Sequence, residues 1–557
     1  MNVCDVLIKQ LADAGVRHVF GVPGDSINSF TDAIRRQDKI RFIHVNHEET
    51  GAFAASAQAK LTGTLGVCVG TSGPGGIHLL NGLYDAKCDH APVLAITGQV
   101  ETRRLGSDYQ QEIDLCRLFD DVAIYNQMIV NPEQMPYVGE RAIHAALEGR
   151  GVAHLNLPLD ISTQKVPHPK AWKIPFQLRR GGIPDAATVH VAANLINRKY
   201  KIAILAGIGC YGAEDKVFAL AEMLGAPIIH ALRAKELFPE SHPYSIGGIG
   251  NLGAKSSVKV LGACDLLLLI GTDFPYDDFL PKGIPTVQID ISAAQIGKRH
   301  TVDVGLTGDT GNVLDALIPF LRVKKSCGFL KFAQAESRQW QTEIQKQTMP
   351  TRGMIKPQQL AHLAGVAAPD DTIFVCDTGE VTAWAARHLP IRQGQRFTVS
   401  GLLASMAFGL PAAIGAKFAY PDRHIVALVG DGGFSMLMTD FATAVRYRLP
   451  MTIIVFNNRK LGMIQIEQES RGMPDYQTEN YNPDFAEFAK LCGGDGLSIS
   501  NPEELPGALA EAYNSPVPFV LNVQIDPQDI PVPPKVTVKQ IIYYGVARIK
   551  EMLDARK

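Results

Sequence analysis

The chain has 557 residues, 46% hydrophobic and 20% charged, with a net charge of −2. That length predicts three or four domains at ~150 residues each, and the near-zero charge argues against nucleic acid or a strongly charged partner. The nine cysteines are scattered with no Cys-x-x-Cys pair, as expected of reduced thiols in a cytoplasmic protein, the opening MNVCDVLIKQLADAGV reads as an amphipathic helix rather than a signal peptide, and no apolar run reaches the ~18 residues of a membrane span. In chain order, the strand candidates of the first third are HVFGVPG, LGVCVGTSGPGG, PVLAITGQ and AHLNLPLDI. A Pro- and Lys/Arg-rich linker, KVPHPKAWKIPFQLRRGGIPD, follows. The second unit contains IAILAGIG, APIIHALRAKE, DLLLLIGTDFPY and PTVQIDI, and a polar connector over roughly 323–356 leads to a third with TIFVCDTGE, IVALVG, MTIIVFNN and PFVLNVQID. Short apolar runs alternating with helical patterns predict an α/β chain of three domains, 1–165, 186–325 and 356–528, each a mainly parallel sheet flanked by helices. A tail helix over 529–557 carries an apolar stripe of Val538, Ile541, Ile542, Gly545, Ile549, Met552 and Leu553 beside Lys and Arg. Such a helix suits either the protein's own body or a membrane surface.

Two motifs carry chemistry. Gly430-Asp431-Gly432 closes one apolar run and Asn457-Asn458 closes another, with positions 433–456 between them. Two strand ends thus deliver hard oxygen ligands and glycines to one sheet edge, the set that a divalent metal on a diphosphate needs. His47-Glu48-Glu49 follows the short apolar segment RFIHVN and opens the small-residue helix TGAFAASAQAK. Alone it reads as an acidic helix start.

These segments, in this order, resemble the pyruvate oxidase branch of the thiamine diphosphate (ThDP) enzymes, which also holds acetolactate synthases. The likeness runs along essentially the whole chain and implies a pyrimidine-binding, an FAD-binding and a diphosphate/Mg²⁺-binding domain. By that resemblance Glu48 hydrogen-bonds the cofactor's aminopyrimidine, and Asp25 and Ser26, in Gly21-Val22-Pro23-Gly24-Asp25-Ser26-Ile27-Asn28, face its reacting end. Gly430, Gly432, Gly433 and Asn457 cradle the diphosphate, while Asp431, Asn458 and the backbone carbonyl of Lys460 hold Mg²⁺. Met406 is the apolar wedge under the bent cofactor. Ile464 and Glu467 border the substrate; the tryptophan that acetolactate synthases usually carry in that helix is absent, which favours an oxidase. For FAD the resemblance implies Gly207, Gly209, Cys210, Arg233, Gly250, Gly271, Thr272, Phe274, Tyr276, Asp290 and Asp309, an acid at a strand end such as Asp290 suiting a ribose hydroxyl. An empty central domain is the other reading. One departure stands out: Gln110 occupies the family's phenylalanine position in Tyr109-Gln110-Gln111-Glu112, while Gln111 is retained, which leaves the identity of the 2-oxo acid open.

The activity implied is oxidative decarboxylation of pyruvate or a close 2-oxo acid to acetate or acetyl phosphate and CO₂. Electrons pass through FAD to oxygen or a quinone. The alternatives are an acetolactate synthase-like carboligase with structural FAD and a catalytically silent ThDP- or FAD-binding regulator. A homo-oligomer is implied, a dimer at least and more in keeping with a tetramer, because the family builds its ThDP site between the first domain of one subunit and the third of another.

Overall fold

The computed structural model describes every residue except 168, 170–181, 326–327, 351–352, 536–538, 540–541, 548–549 and 551–557. Most of the first linker, and Val538, Ile541, Ile549, Met552 and Leu553 of the expected tail stripe, lie outside the described residues.

Three six-stranded sheets, parallel throughout, organise the chain. The first holds β1 (His18–Gly21), β2 (Arg41–His44), β3 (Gly66–Gly70), β4 (Val93–Gln99), β5 (Ala123–Met128) and β6 (Val152–Pro158) in the order β2-β1-β3-β4-β6-β5. The second holds β7 (Ile202–Ala206), β8 (Ile228–His230), β9 (Ser245–Gly248), β10 (Leu266–Ile270), β11 (Thr286–Asp290) and β12 (Val304–Thr307), ordered β12-β11-β10-β7-β8-β9. The third holds β13 (Ile373–Cys376), β14 (Arg396–Val399), β15 (Ile425–Gly430), β16 (Thr452–Asn457), β17 (Asp495–Ile499) and β18 (Phe519–Gln524), ordered β14-β13-β15-β16-β18-β17. The first and third sheets therefore repeat one topology. The central sheet, read from its other edge, has the 3-2-1-4-5-6 order of dinucleotide-binding folds, with its switch point between β7 and β10.

Central strands such as β3, β4, β7 and β10 are buried at every residue, because helices cover both faces of a parallel sheet. The first and third domains share one apolar core, in which Phe20 and Phe53 meet Phe408, Ile414 and Phe434. Its seam is the packing of helix Glu48–Thr62 on helix Gly409–Ala419. At that seam the two backbones approach so closely that a Cβ on Gly415 would overlap the carbonyl oxygen of Ala54. Gly415→Val is accordingly expected to destabilise the protein by about 1–3 kcal/mol, the usual cost of overpacking. Urea denaturation would show it as a lower midpoint.

Candidate functional site

At the first sheet's switch point, β1 and β3 part toward opposite sides and their ends frame a crevice. Asp25 and Ser26 follow β1; the loop Thr71–Gly73 follows β3. Ser26 Oγ lies 2.8 Å from Thr71 Oγ1 and accepts the Ser72 N–H at 2.8 Å, while Asp25 Oδ1 accepts from Thr71 Oγ1 at 3.1 Å. Gln111 comes to the same loop: its Oε1 is 3.4 Å from Ser72 Oγ, and it packs on Gly73, which has φ +62°. Glu48 opens its helix with the carboxyl 8% exposed beside Gly75, and Glu48 Oε2 lies 3.0 Å from His78 Nδ1. The His78 ring stacks on that of His47, centroids 4.5 Å apart. The structure thus gathers Asp25, Ser26, Gln111 and Glu48 around one loop.

The third domain builds the complementary set. Gly430 pairs with Phe456 across β15 and β16, so Asp431 and Asn457 emerge side by side. Asp431 is 2% exposed; its Oδ2 accepts from Asn482 Nδ2 at 2.6 Å and from Asn480 Nδ2 at 3.2 Å. Asn482 Nδ2 also donates to Asn457 Oδ1 at 3.1 Å, and Asn458 Nδ2 donates to Glu380 Oε2 at 2.7 Å. Glu380 begins the helix after β13, against the backbone of Gly462. Burial pushes its carboxyl up to about 7, with the charge of Asp431 adding to the effect against Asn458 and Lys460; burial raises Asp431 as well. Lys460 Nζ is committed to Asp475 Oδ2 at 2.7 Å. Two enclosed carboxyl groups, both raised by burial, with amide oxygens beside them, fit a divalent cation held by oxygen ligands.

Met406 lies over this edge: its Cε is 3.2 Å from where a Cβ on Gly432 would sit. Ala404 and Ala407 on either side have φ +55° and +69°, left-handed values that hold the loop in a strained shape. Gly433 packs on Asp377. Ile464 and Glu467 are exposed, one helical turn apart on Gly462–Ser470.

Asp377, at the end of β13, is enclosed, and its Oδ2 has no hydrogen-bond partner. Burial pushes its carboxyl up to about 7 against the N–H groups of Thr378 and Phe408. A folded value above the unfolded one, ~3.9, means the native state holds the proton more tightly. Its contribution to stability is therefore greatest below about pH 4 and falls as pH rises toward 7. Asp377→Asn should remove a penalty of a few kcal/mol above pH 7, so that thermal unfolding shows a larger gain at alkaline than at acidic pH.

In the central domain the ends of β7, β10 and β11 converge at the switch point. A Cβ on Gly207 would overlap the carbonyl oxygen of Gly271, and Gly209 packs on Gly271, which has φ +55°. Thr272 Oγ1 is buried without a partner. Phe274 and Tyr276 meet edge to face at 5.6 Å beside Gly250, and Tyr276 is 44% exposed. Asp290 ends β11, accepts the Ser292 N–H at 2.9 Å, and is raised by burial. These glycine crossings, the unpaired hydroxyl and the exposed ring fit a dinucleotide laid across the crevice. Three of the expected residues have duties within the protein. Asp309 caps helix Thr310–Leu317 by accepting the Asn312 N–H, Cys210 Sγ is 3.4 Å from the Ile270 carbonyl, and Arg233 Nη1 donates to the Asp89 carbonyl at 2.9 Å.

Sequence reasoning missed Glu380, His78, Asn480 and Asn482. Glu380 had a usable signal, since Asp377-Thr378-Gly379-Glu380 closes an apolar run as a strand end does. Asn480 and Asn482 had none; they reach Asp431 from a loop that no periodicity marks.

No helix among the described residues is long and apolar enough to cross a membrane. Three family profiles match the chain: "Thiamine pyrophosphate enzyme, N-terminal TPP binding domain" over 1–118, its central domain over 189–317, and its C-terminal TPP binding domain over 377–523. The chain is 41% identical over 552 residues to the "Putative thiamine pyrophosphate-containing protein YdaP" of Bacillus subtilis, covering 99% of this chain and 96% of that one. It is 34% identical over 514 residues to "Pyruvate oxidase" of Lactiplantibacillus plantarum, covering 91% and 85%. Identity is also 34%, over 560 residues, to the "Probable acetolactate synthase large subunit" of Methanocaldococcus jannaschii, covering 95% and 93%. With all three domain profiles in order and two glycine-bearing crevices of the required chemistry, the chain belongs to the thiamine pyrophosphate enzyme family and is a ThDP-dependent enzyme.

Proposed function

We propose that the protein oxidatively decarboxylates pyruvate or a close 2-oxo acid, using ThDP, Mg²⁺ and FAD, to acetate or acetyl phosphate and CO₂. The observation that supports oxidation over carboligation is helix Gly462–Ser470, which carries Ile464 and Glu467 and no tryptophan, while the central domain's 3-2-1-4-5-6 sheet order and Gly207–Gly271 crossing suit FAD. When bound, ThDP supplies the electron sink for the pair released with CO₂, and FAD a two-electron acceptor. The chain's own part is to bind and orient. Asp431, Asn458, the Lys460 carbonyl and the nearby Glu380 hold the cation that neutralises the diphosphate. Glu48 keeps a proton at the cofactor's pyrimidine end, with His78 fixing its carboxyl. Gln111 and Glu467 handle the substrate's protons and orientation, and Ile464 borders it with an apolar side chain. By the family resemblance, in which the first domain of one subunit meets the third of another, we take the complete site to lie between subunits of a homodimer or a larger assembly.

A second reading, carboligation with structural FAD, draws on the acetolactate synthase relatives. Anaerobic mixing of the flavin-loaded protein with pyruvate separates the two. Rapid loss of oxidised-flavin absorbance is the expected result; acetolactate formed with no bleaching would overturn the oxidase reading in favour of the carboligase. Product assays with and without phosphate then distinguish the acyl acceptors.

A further inference from the structure

The shared topology of the first and third sheets has a counterpart in two buried carboxylates. In the first domain Asn46 lies between β2 and helix Glu48–Thr62, and Asp89 caps helix Leu80–Cys88, the second helix after β3. In the third, Gly401 lies between β14 and helix Gly409–Ala419, and Asp440 follows the helix after β15. Asp440 crosses to the first domain: its Oδ1 accepts the Asn46 N–H at 2.7 Å and its Oδ2 the Thr50 hydroxyl at 2.6 Å. Asp89 crosses the other way: its Oδ2 accepts the Gly401 N–H at 2.9 Å and its Oδ1 the Leu402 N–H at 3.1 Å. Both aspartates are fully enclosed. Asp89 is also held by Lys60 Nζ at 2.6 Å and approached by Arg233 of the central domain at 3.4 Å. Each therefore grips the segment leading into the other domain's cofactor-facing residue, Glu48 in one case and Met406 in the other. Asn81 Nδ2 joins the two segments, donating to Glu49 Oε1 at 2.6 Å and to Ser405 Oγ at 3.0 Å.

We propose that Asp440 and Asp89 are reciprocal positioning residues: Asp440, carried by the diphosphate domain, sets the Glu48 carboxyl of the pyrimidine domain, and Asp89, carried by the pyrimidine domain, sets the Met406 loop of the diphosphate domain. The inference rests on the roles proposed above for Glu48 and Met406. Charge-assisted bonds to backbone N–H groups fix a main chain more firmly than neutral ones, and small displacements of a reacting group are costly. A crossed phenotype follows, which simple loss of stability would not produce.

The test uses the enzyme loaded with ThDP, Mg²⁺ and FAD, and two readouts: exchange of the bound cofactor's C2 proton with deuterated water, and ThDP retained after dialysis. Asp440→Ala, and Thr50→Val as the milder partner should the first fail to fold, are expected to slow exchange about 10-fold or more while retention stays near wild type, although Asp440 shares its domain with Asp431. Asp89→Asn is expected to weaken retention about 10-fold while the fraction still bound exchanges at nearly the wild-type rate. Unchanged exchange in Thr50→Val and Asp440→Ala, or both readouts falling together in every variant, overturns the proposal. A Glu48→Gln control that exchanges at the wild-type rate overturns the reading of Glu48, and this inference with it; a control that loses exchange while the aspartate variants do not cross overturns only this inference.

Discussion

Glu48→Gln is expected to lower turnover by about 10²–10⁴-fold while leaving ThDP binding and the fold nearly intact. The amide has the shape of the carboxyl and keeps a hydrogen-bonding oxygen toward His78 Nδ1, which now lies 3.0 Å from Glu48 Oε2. It cannot hold or release a proton at that atom, so what is lost is acid–base function rather than packing. Retention should survive because the residues proposed to hold the cation and diphosphate, Asp431 and Asn458, lie on a different domain. Steady-state turnover with measured cofactor content is the check: wild-type turnover in a fully loaded variant removes Glu48 from the mechanism.

Asp431→Ala has the second large effect, on retention. The carboxylate is 2% exposed and is the acceptor for both Asn480 and Asn482, so its removal takes away the charged ligand and frees the two amides that frame it. A cation left with Glu380 and neutral amide and carbonyl oxygens loses one of its two carboxylate partners in an enclosed site, where each charge counts heavily. Cofactor retention is expected to fall about 100-fold or more, of the order seen when groups that merely support metal ligands are removed. Dialysis against a chelator followed by reloading with ThDP and Mg²⁺ measures it. A variant that keeps a full complement of ThDP under those conditions contradicts the assignment. Glu380→Gln offers a graded comparison: it keeps an oxygen near Asn458 and removes the second buried charge.

The three-domain α/β architecture was legible from the order of apolar runs, and the strands that were overlooked share one property. In each sheet they are the two edges: β2 and β5, β9 and β12, β14 and β17. Central strands are buried on both faces and read as continuous Val, Ile and Leu, as in IVALVG and DLLLLIG. Edge strands such as Ala123–Met128 have no buried residue, and Ser245–Gly248 is short and glycine-rich, so neither stands out from a loop. RFIHVN was noticed as apolar, yet only its pairing with β1 makes it a strand.

The site divides along the same line. Gly430-Asp431-Gly432 and Asn457-Asn458 are recognisable by themselves, because a cation on a diphosphate demands oxygen ligands and glycines at strand ends, and strand ends are marked by where an apolar run stops. Family, ThDP chemistry and the parallel α/β plan followed from such local features. Which groups surround them was decided only in three dimensions. Asp440 meets Asn46 across 394 residues, Asp89 meets Gly401 across 312, and Arg233 meets Asp89 across 144. Contacts between domains depend on how two completed surfaces fit together, and a fit of that kind leaves no period or spacing in the chain that makes it.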